Sequence, residues 1–313
     1  MKRPLIILTG PTAVGKTELS IELAKAINGE IISADSMQVY KKMDIGTAKI
    51  KKEEMQGVPH YLIDILDPRE DFNVVLFQTL AKQAMEKIYA SGKIPIIVGG
   101  TGFYIQSILY DIDFTEEETD QEYRKPLEDY AIEHGAEALH AKLQEIDPQS
   151  ATDIHFNNIK RVIRALEYYK TTGKQISLHN REQREKQSPY QFVYFVLNMT
   201  REILYERINK RIDLMLEEGL LHEVTALKEA GYQKGLVSMQ GLGYKEILDY
   251  LNGEMTLEEA ITLLKRDTRH FAKRQLTWFH REKEVTWVDK TLDTTTVQLL
   301  DTLLTILKEK QII

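Results

Sequence analysis

The chain has no cysteine among its 313 residues. That absence rules out a disulfide framework, a cysteine-ligated zinc module and thiol catalysis together. Long hydrophobic runs are missing too. The opening Met-Lys-Arg-Pro-Leu-Ile-Ile-Leu-Thr-Gly pairs a basic flank with a short apolar stretch, but a glycine turn stops it before a signal h-region or membrane span could form. A first strand, a soluble globular protein and a cytoplasmic address are expected, with no membrane partner. An overall basic charge is also lacking: the formal net charge is −7, which disfavours a general nucleic-acid binder.

What is present is unevenly spread. Between Lys265 and Lys283 seven basic residues face two acids, a local net of +5. Acids gather elsewhere, at Asp111, Asp113, Glu116, Glu117, Glu118, Asp120 and Glu122. Such asymmetry allows one basic face toward a polyanion. With 42% hydrophobic residues, the length suits one large domain or a core carrying a smaller insertion.

The first third alternates short apolar runs with helical patterns, as a parallel sheet wrapped by crossover helices does. Strands are predicted over Pro4–Thr9, Glu30–Ser33, Tyr61–Ile65 and Ile94–Val98, and helices over Lys16–Asn28 and Phe72–Ala90. Gly99-Gly100-Thr101-Gly102 opens a further helical segment. From about Asp111 to Tyr190 the β pattern vanishes, and Asn157–Thr172 carries apolar residues at helical spacing with Gly173 as a stop. Strand character returns at Tyr190–Met199. Helices follow over Arg201–Glu218, Leu220–Ala230, Tyr244–Leu251 and Leu257–His280, then a strand over Val285–Val288 and a helix over Thr294–Lys310. The expected fold class is α/β: a P-loop NTPase-like parallel sheet flanked by helices, residues 1–112 and 190–313, with a mostly helical insertion at 113–189.

Gly10-Pro11-Thr12-Ala13-Val14-Gly15-Lys16-Thr17 matches G-x-x-x-x-G-K-[ST] directly after a buried strand and before a helix, where a P-loop must lie. Its glycines let successive N–H groups face one anion, and the helix N-terminus adds its positive end. Lys16 supplies a full charge, and the Thr17 hydroxyl is placed to ligate magnesium. The loop reads phosphate oxygens and says nothing of what they are attached to. A P-loop nucleotidase places an acid after an apolar strand, yet Ile94–Val98 ends in Gly99-Gly100. Asp64 is the substitute candidate, a surface or capping aspartate the alternative.

Asp35 follows the second strand, so the carboxyl end of a parallel sheet would point it into the P-loop crevice; otherwise it is a loop acid or helix cap. Asp35-Ser36-Met37-Gln38-Val39-Tyr40, Asp44-Ile45-Gly46-Thr47-Ala48-Lys49 and the P-loop closely resemble the corresponding stretches of tRNA dimethylallyltransferases. So do Gly99-Gly100-Thr101-Gly102, Arg211-Ile212-Asp213-Leu214-Met215, Gln240-Gly241-Leu242-Gly243-Tyr244-Lys245 and Lys273-Arg274-Gln275-Leu276-Thr277-Trp278, in the family's order and across nearly the whole chain.

The resemblance implies transfer of a dimethylallyl group from dimethylallyl diphosphate to N6 of an adenosine beside the anticodon of tRNA, with magnesium and without ATP. It implies that the P-loop holds the isoprenoid diphosphate. Asp35 becomes the candidate general base, and Lys16, Thr101 and Arg211 the groups stabilising the leaving diphosphate or the amine. An N-cap is the other reading of Thr101, and an i,i+4 surface partner that of Arg211. Because the adenine must be flipped out to react, Asp35, Ser36, Met37, Gln38 and Thr101 are expected to meet it. Lys160, Arg161 and Arg164 of the insertion, with Gln240, Tyr244, Lys245, Arg274 and Gln275, are the expected contacts to the anticodon stem-loop; solvated surface residues are the alternative. A monomer is expected. The competing functions are a small-metabolite P-loop kinase, an adenine-nucleotide isopentenyltransferase, and an RNA-binding module with a decayed P-loop.

Overall fold

The structure, a computed structural model, describes residues 2–114 and 120–313. Glu116, Glu117 and Glu118 of the acidic cluster lie outside the described residues. Two compact units emerge: Met1–Leu109 with Pro189–Ile313, and Tyr110–Ser188.

The first unit runs β1 (Arg3–Thr9), α1 (Lys16–Ile27), β2 (Gly29–Ala34), β3 (His60–Tyr61), α2 (Val74–Ala90), β4 (Ile94–Gly99) and α3 (Gly102–Leu109). The helical unit then contributes α4 (Gln121–His134), α5 (Ala136–Ile146), α6 (Pro148–Asp153), α7 (Ile159–Thr172) and α8 (Ile176–Glu185). The first unit resumes with β5 (Tyr190–Asn198), α9 (Arg201–Glu217), α10 (Leu220–Glu229), a 3-10 turn at Ser238–Gln240, α11 (Tyr244–Leu251), α12 (Leu257–Phe279), β6 (Val285–Asp289) and α13 (Thr296–Glu309).

One six-stranded sheet has the order β3-β2-β4-β1-β5-β6, and every strand pair is parallel. Leu5, Ile6, Ile7 and Leu8 of β1 are fully buried, as an interior strand covered on both faces requires. The topology decides where chemistry can sit. β4 lies between β1 and β2, so the loops leaving β1, β4 and β2 meet at one end of the sheet, where open α/β folds bind ligands.

Helix ends follow local capping rules. Asn73 accepts from the N–H groups of Val75 and Leu76 to start α2, and Thr256 with Glu259 forms a capping box at the head of the 23-residue α12. The helical unit has its own core, with Leu139 and Leu143 of α5 packed among Val162, Ile163 and Leu166 of α7. Gly173 ends α7 in the left-handed conformation. Among the described residues no helix is long and apolar enough to cross a membrane.

The predicted strand Tyr61–Ile65 shrinks to His60–Tyr61. Leu62 and Asp64 adopt positive φ (64° and 61°), and the N–H groups of Asp64 and Ile65 donate to Gln38 and Val39 carbonyls instead of continuing a ladder. Local pairing with the loop after β2 overrides the apolar run.

Candidate active site

The loop from Gly10 to Thr17 joins β1 to α1. Gly15 caps α1 at φ 98°, with no side-chain cap, so the first turn of the helix keeps its N–H groups available to an anion. Lys16 folds back over the loop, its Nζ donating to the carbonyls of Gly10 and Pro11, 2.9 Å each. Its pKa is pushed down to about 7, chiefly by desolvation and next by nearby Arg211, with Asp35 opposing both. The Thr12 N–H is already engaged, donating to Gln275 Oε1 at 2.9 Å.

Asp35 stands one residue past β2, and Thr101 two residues past β4; the Thr101 N–H donates to the Ala34 carbonyl at 3.2 Å, tying the two turns together. Asp35 Oδ1 accepts from the N–H groups of Met37 (2.8 Å) and Gln38 (3.3 Å), which leaves the other carboxylate oxygen for chemistry. The Thr101 carbonyl accepts the first bonds of α3, from Tyr104 and Ile105, so its N-cap position and a place in the site are compatible. Arg211 projects from α9. Burial lowers its pKa, partly offset by Asp35 and reinforced by Arg207.

Asp35, Thr101, Arg211 and part of the loop share a cavity of about 410 Å³, within the size range of small-ligand sites. Thr12 and Ala13 of the loop, Asp35, Ser36, Met37, Thr101 and Arg211 line one part. Ile208, Ile212, Met215, Leu264 and Phe271 give it an apolar portion, and Gly46, Thr47, Gln240, Tyr244, Lys245 and Arg274 complete it. A phosphate loop, a carboxylate and an apolar slot thus open on one space.

The family model for IPP transferases matches residues 38–282. The tRNA dimethylallyltransferase of Lachnoclostridium phytofermentans is 63% identical over 311 residues, 99% of each chain. The chain belongs to the tRNA dimethylallyltransferase family. The corresponding protein of Acetivibrio thermocellus is 55% identical over 91% of each chain. Among solved structures, the full-length tRNA isopentenylpyrophosphate transferase of Bacillus halodurans is similar at 47% identity and TM-score 0.73, covering 99% of this chain and 98% of that one. A eukaryotic dimethylallyltransferase captured acting on tRNA aligns at TM-score 0.85 and 32% identity, over 99% of this chain and 79% of the other. The P-loop precedes the span matched by the family model, and the near-full-length relatives cover it.

For this member of the family the structure redistributes several residues expected at the RNA. Gln275 is 6% exposed; besides the Thr12 bond, its Nε2 donates to the Gly100 carbonyl at 3.0 Å. Each end of its amide makes one bond, so it acts as a strut between the P-loop and the glycine turn. Gln38 likewise accepts from Ser33 Oγ and donates to the Thr47 and Ala48 carbonyls, off the cavity lining. Ser36, Met37, Gln240, Lys245 and Arg274 remain on the lining. Tyr244 reaches it too, but its ring is buried against Gly46, where an added Cβ would come within 2.6 Å. On α7, Lys160 and Arg161 are exposed, whereas Arg164 pairs with Glu167 at 3.4 Å. Asp64 binds Lys49 Nζ at 2.7 Å and does not line the cavity.

Three further residues reach the site. Arg207 donates from Nε to the Ala13 carbonyl at 2.8 Å. Lys290, just past β6, brings Nζ to 3.0 Å from the position a Cβ on Gly15 would take; burial lowers its pKa, Arg207 adds to that, and Glu18 opposes it. Arg207 had a signal, since it precedes Arg211 by four residues on one helix face. Lys290 had none. Glu223 of α10 had none either, and its carboxylate gathers the N–H groups of Asp44, Ile45 and Gly46.

Among the described residues no cluster of three metal-ligating side chains exists.

Proposed function

We propose that the chain transfers a dimethylallyl group from dimethylallyl diphosphate to N6 of an adenosine next to the anticodon of tRNA, acting as a cytoplasmic monomer. The observation that carries this is the shared cavity: Asp35 and the P-loop leave strands separated only by β4 and open onto the same partly apolar space.

An adenine amine is a weak nucleophile because its lone pair is delocalised into the ring. Asp35 accepts the N6 proton as the new C–N bond forms, a role worth typically ~10²–10⁴-fold. On the other side of the allylic carbon the C–O bond breaks and negative charge grows on the departing diphosphate. Lys16, Arg211 and the amides at the head of α1 receive that charge in a desolvated setting, where fixed dipoles act most strongly. Arg207 and Lys290 add positive potential beside the loop. Magnesium on Thr17, when bound, would neutralise part of the diphosphate. Thr101 orients the amine or a diphosphate oxygen. Ile208, Ile212, Met215 and Phe271 shelter the five-carbon tail from water, and Lys160, Arg161, Lys245 and Arg274 meet RNA phosphates.

The test is transfer itself. Purified protein given dimethylallyl diphosphate and magnesium should add one dimethylallyl mass to unmodified tRNA and to an anticodon stem-loop, but not to AMP. Modification of AMP instead would reassign the acceptor, and phosphorylation of a metabolite with no alkyl transfer would reject the reading.

A further inference from the structure

The segment Met43–Lys49 has no regular secondary structure, yet Gly46 and Thr47 form part of the cavity wall. Something must hold it. From inside, Lys49 does so: its side chain is 5% exposed, and Nζ donates to the Tyr40 carbonyl, Asp44 Oδ1 and Asp64 Oδ1. Gln38 holds the Thr47 and Ala48 carbonyls, and from the other side a single carboxylate holds the N–H groups at 44–46. Glu223 Oε2 accepts from the N–H groups of Asp44 (2.9 Å) and Ile45 (2.8 Å), while Oε1 accepts from the Gly46 N–H (3.1 Å) and the Tyr244 hydroxyl (2.7 Å).

Three consecutive backbone N–H groups aimed at one point form a concavity of the kind that captures anions. Here the anion is a side chain, so the loop, α10 and the head of α11 are fastened at one carboxylate. Two of the groups so fastened, Gly46 and Tyr244, face each other at a separation too tight for any added carbon, and both line the cavity. This part of the wall is therefore held by a residue that does not itself line the cavity.

We propose that Glu223 is a positioning residue for the transfer reaction: by fixing Gly46 and Tyr244 it sets the part of the wall against which the flipped adenine and the isoprenoid tail are aligned. This rests on the proposed function for what the cavity holds. The P-loop, Lys16 and Arg211 lie outside the Glu223 bonds, so gripping of the diphosphate does not depend on it.

Glu223→Gln keeps the size of the side chain but replaces an acceptor oxygen with an N–H₂ group that opposes the converging donors. Tyr244→Phe deletes only the hydroxyl bond and leaves the backbone clamp. The full-length protein, these two variants and Glu223→Ala are compared in three measurements: amide hydrogen exchange over residues 44–46, binding of inorganic pyrophosphate, and kcat for transfer to tRNA. Expected for Glu223→Gln and Glu223→Ala are faster exchange at 44–46, unchanged pyrophosphate affinity and a kcat lowered about 10–100-fold, the cost of a misplacement of an ångström or so. Tyr244→Phe should keep slow exchange and lose less kcat. Unchanged exchange or unchanged kcat in the Glu223 variants overturns the proposal, and so does a loss of pyrophosphate binding as large as the loss of kcat, since that marks general damage. If the unaltered protein transfers nothing, the proposed function falls, and the exchange and pyrophosphate measurements still decide whether Glu223 holds the wall apart from the phosphate grip.

Discussion

Buried charge in the helical unit is paired, whereas two buried cations of the sheet unit, Lys16 and Arg211, have no carboxylate bonded to them among the described residues. In the helical unit Glu167, 1% exposed, accepts from Arg124 Nε at 2.8 Å and from a second Arg124 nitrogen at 2.7 Å, from the Asp120 N–H, and from Arg164. Burial alone would raise its pKa, but the Arg124 bonds and the Asp120 N–H outweigh that and hold it below the usual carboxylate range. Asp147 is satisfied in the same manner by Ser150 and the Ser177 N–H. In the sheet unit Lys16 and Arg211 are pulled toward neutrality by burial, and Asp35 is their main negative neighbour. Paired charge builds a core. Buried cations without a bonded carboxylate, beside a phosphate-type loop, are suited to an anionic ligand, because perturbed groups of this kind gather where binding and catalysis occur.

Substitutions can break that contrast. The largest effect is expected for Asp35→Asn, which keeps Oδ1 for the Met37 and Gln38 N–H groups but removes the base. The kcat should fall by ~10²–10⁴-fold while tRNA binding, followed by filter retention, persists; near-full activity would remove Asp35 from the chemistry. Arg211→Gln should cost about 10²-fold in kcat and weaken pyrophosphate binding. In the helical unit the same kind of change should act on folding instead. Glu167→Ala removes the acceptor shared by Arg124, Arg164 and the Asp120 N–H, so thermal or urea unfolding should show a loss of roughly 1–3 kcal/mol, while kcat per folded molecule is retained.

Smaller effects sharpen the contrast. With Lys16 pushed down to about 7, the ligand-free protein carries it protonated below that pH and neutral above. Binding a polyanion restores the proton, so above about 7 each pH unit costs up to about tenfold in affinity from this group. Lys16→Arg stays charged, and the difference in pyrophosphate affinity between the two proteins should therefore grow in favour of arginine as pH rises, which calorimetry at several pH values would read. The smallest expected effect is that of Lys160→Ala with Arg161→Ala: a few-fold weaker tRNA binding and a salt dependence shallower by about one for each RNA phosphate no longer neutralised.

The sequence was most informative where function and local geometry coincide. The P-loop announced its strand, turn and helix together because all three are needed to face N–H groups at one anion. Helix limits such as Tyr244–Leu251 and the Gly173 stop were readable from periodicity and capping alone. The basic stretch from Lys265 to Lys283 was visible as charge, but not that it bears the buried Gln275, whose partners Thr12 and Gly100 are 263 and 175 residues distant. A glutamine joining backbone groups that far apart has the same sequence signature as one contacting RNA. Glu223 and Lys290 were hidden for the same reason, since the atoms they serve come together only when the sheet forms. The strand expected at Tyr61–Ile65 failed where two left-handed residues and local carbonyl partners offered the backbone another solution.

Every role assigned to Asp35, Lys16 and Arg211 depends on where the isoprenoid's phosphates lie. The most direct measurement is a crystal structure of the protein soaked with a non-hydrolysable thio-analogue of dimethylallyl diphosphate. The diphosphate should sit against the N–H groups from Ala13 to Lys16, with its allylic carbon directed into the cavity toward Asp35. Density for the analogue elsewhere, with the loop and Lys16 making no contact to it, would contradict the account.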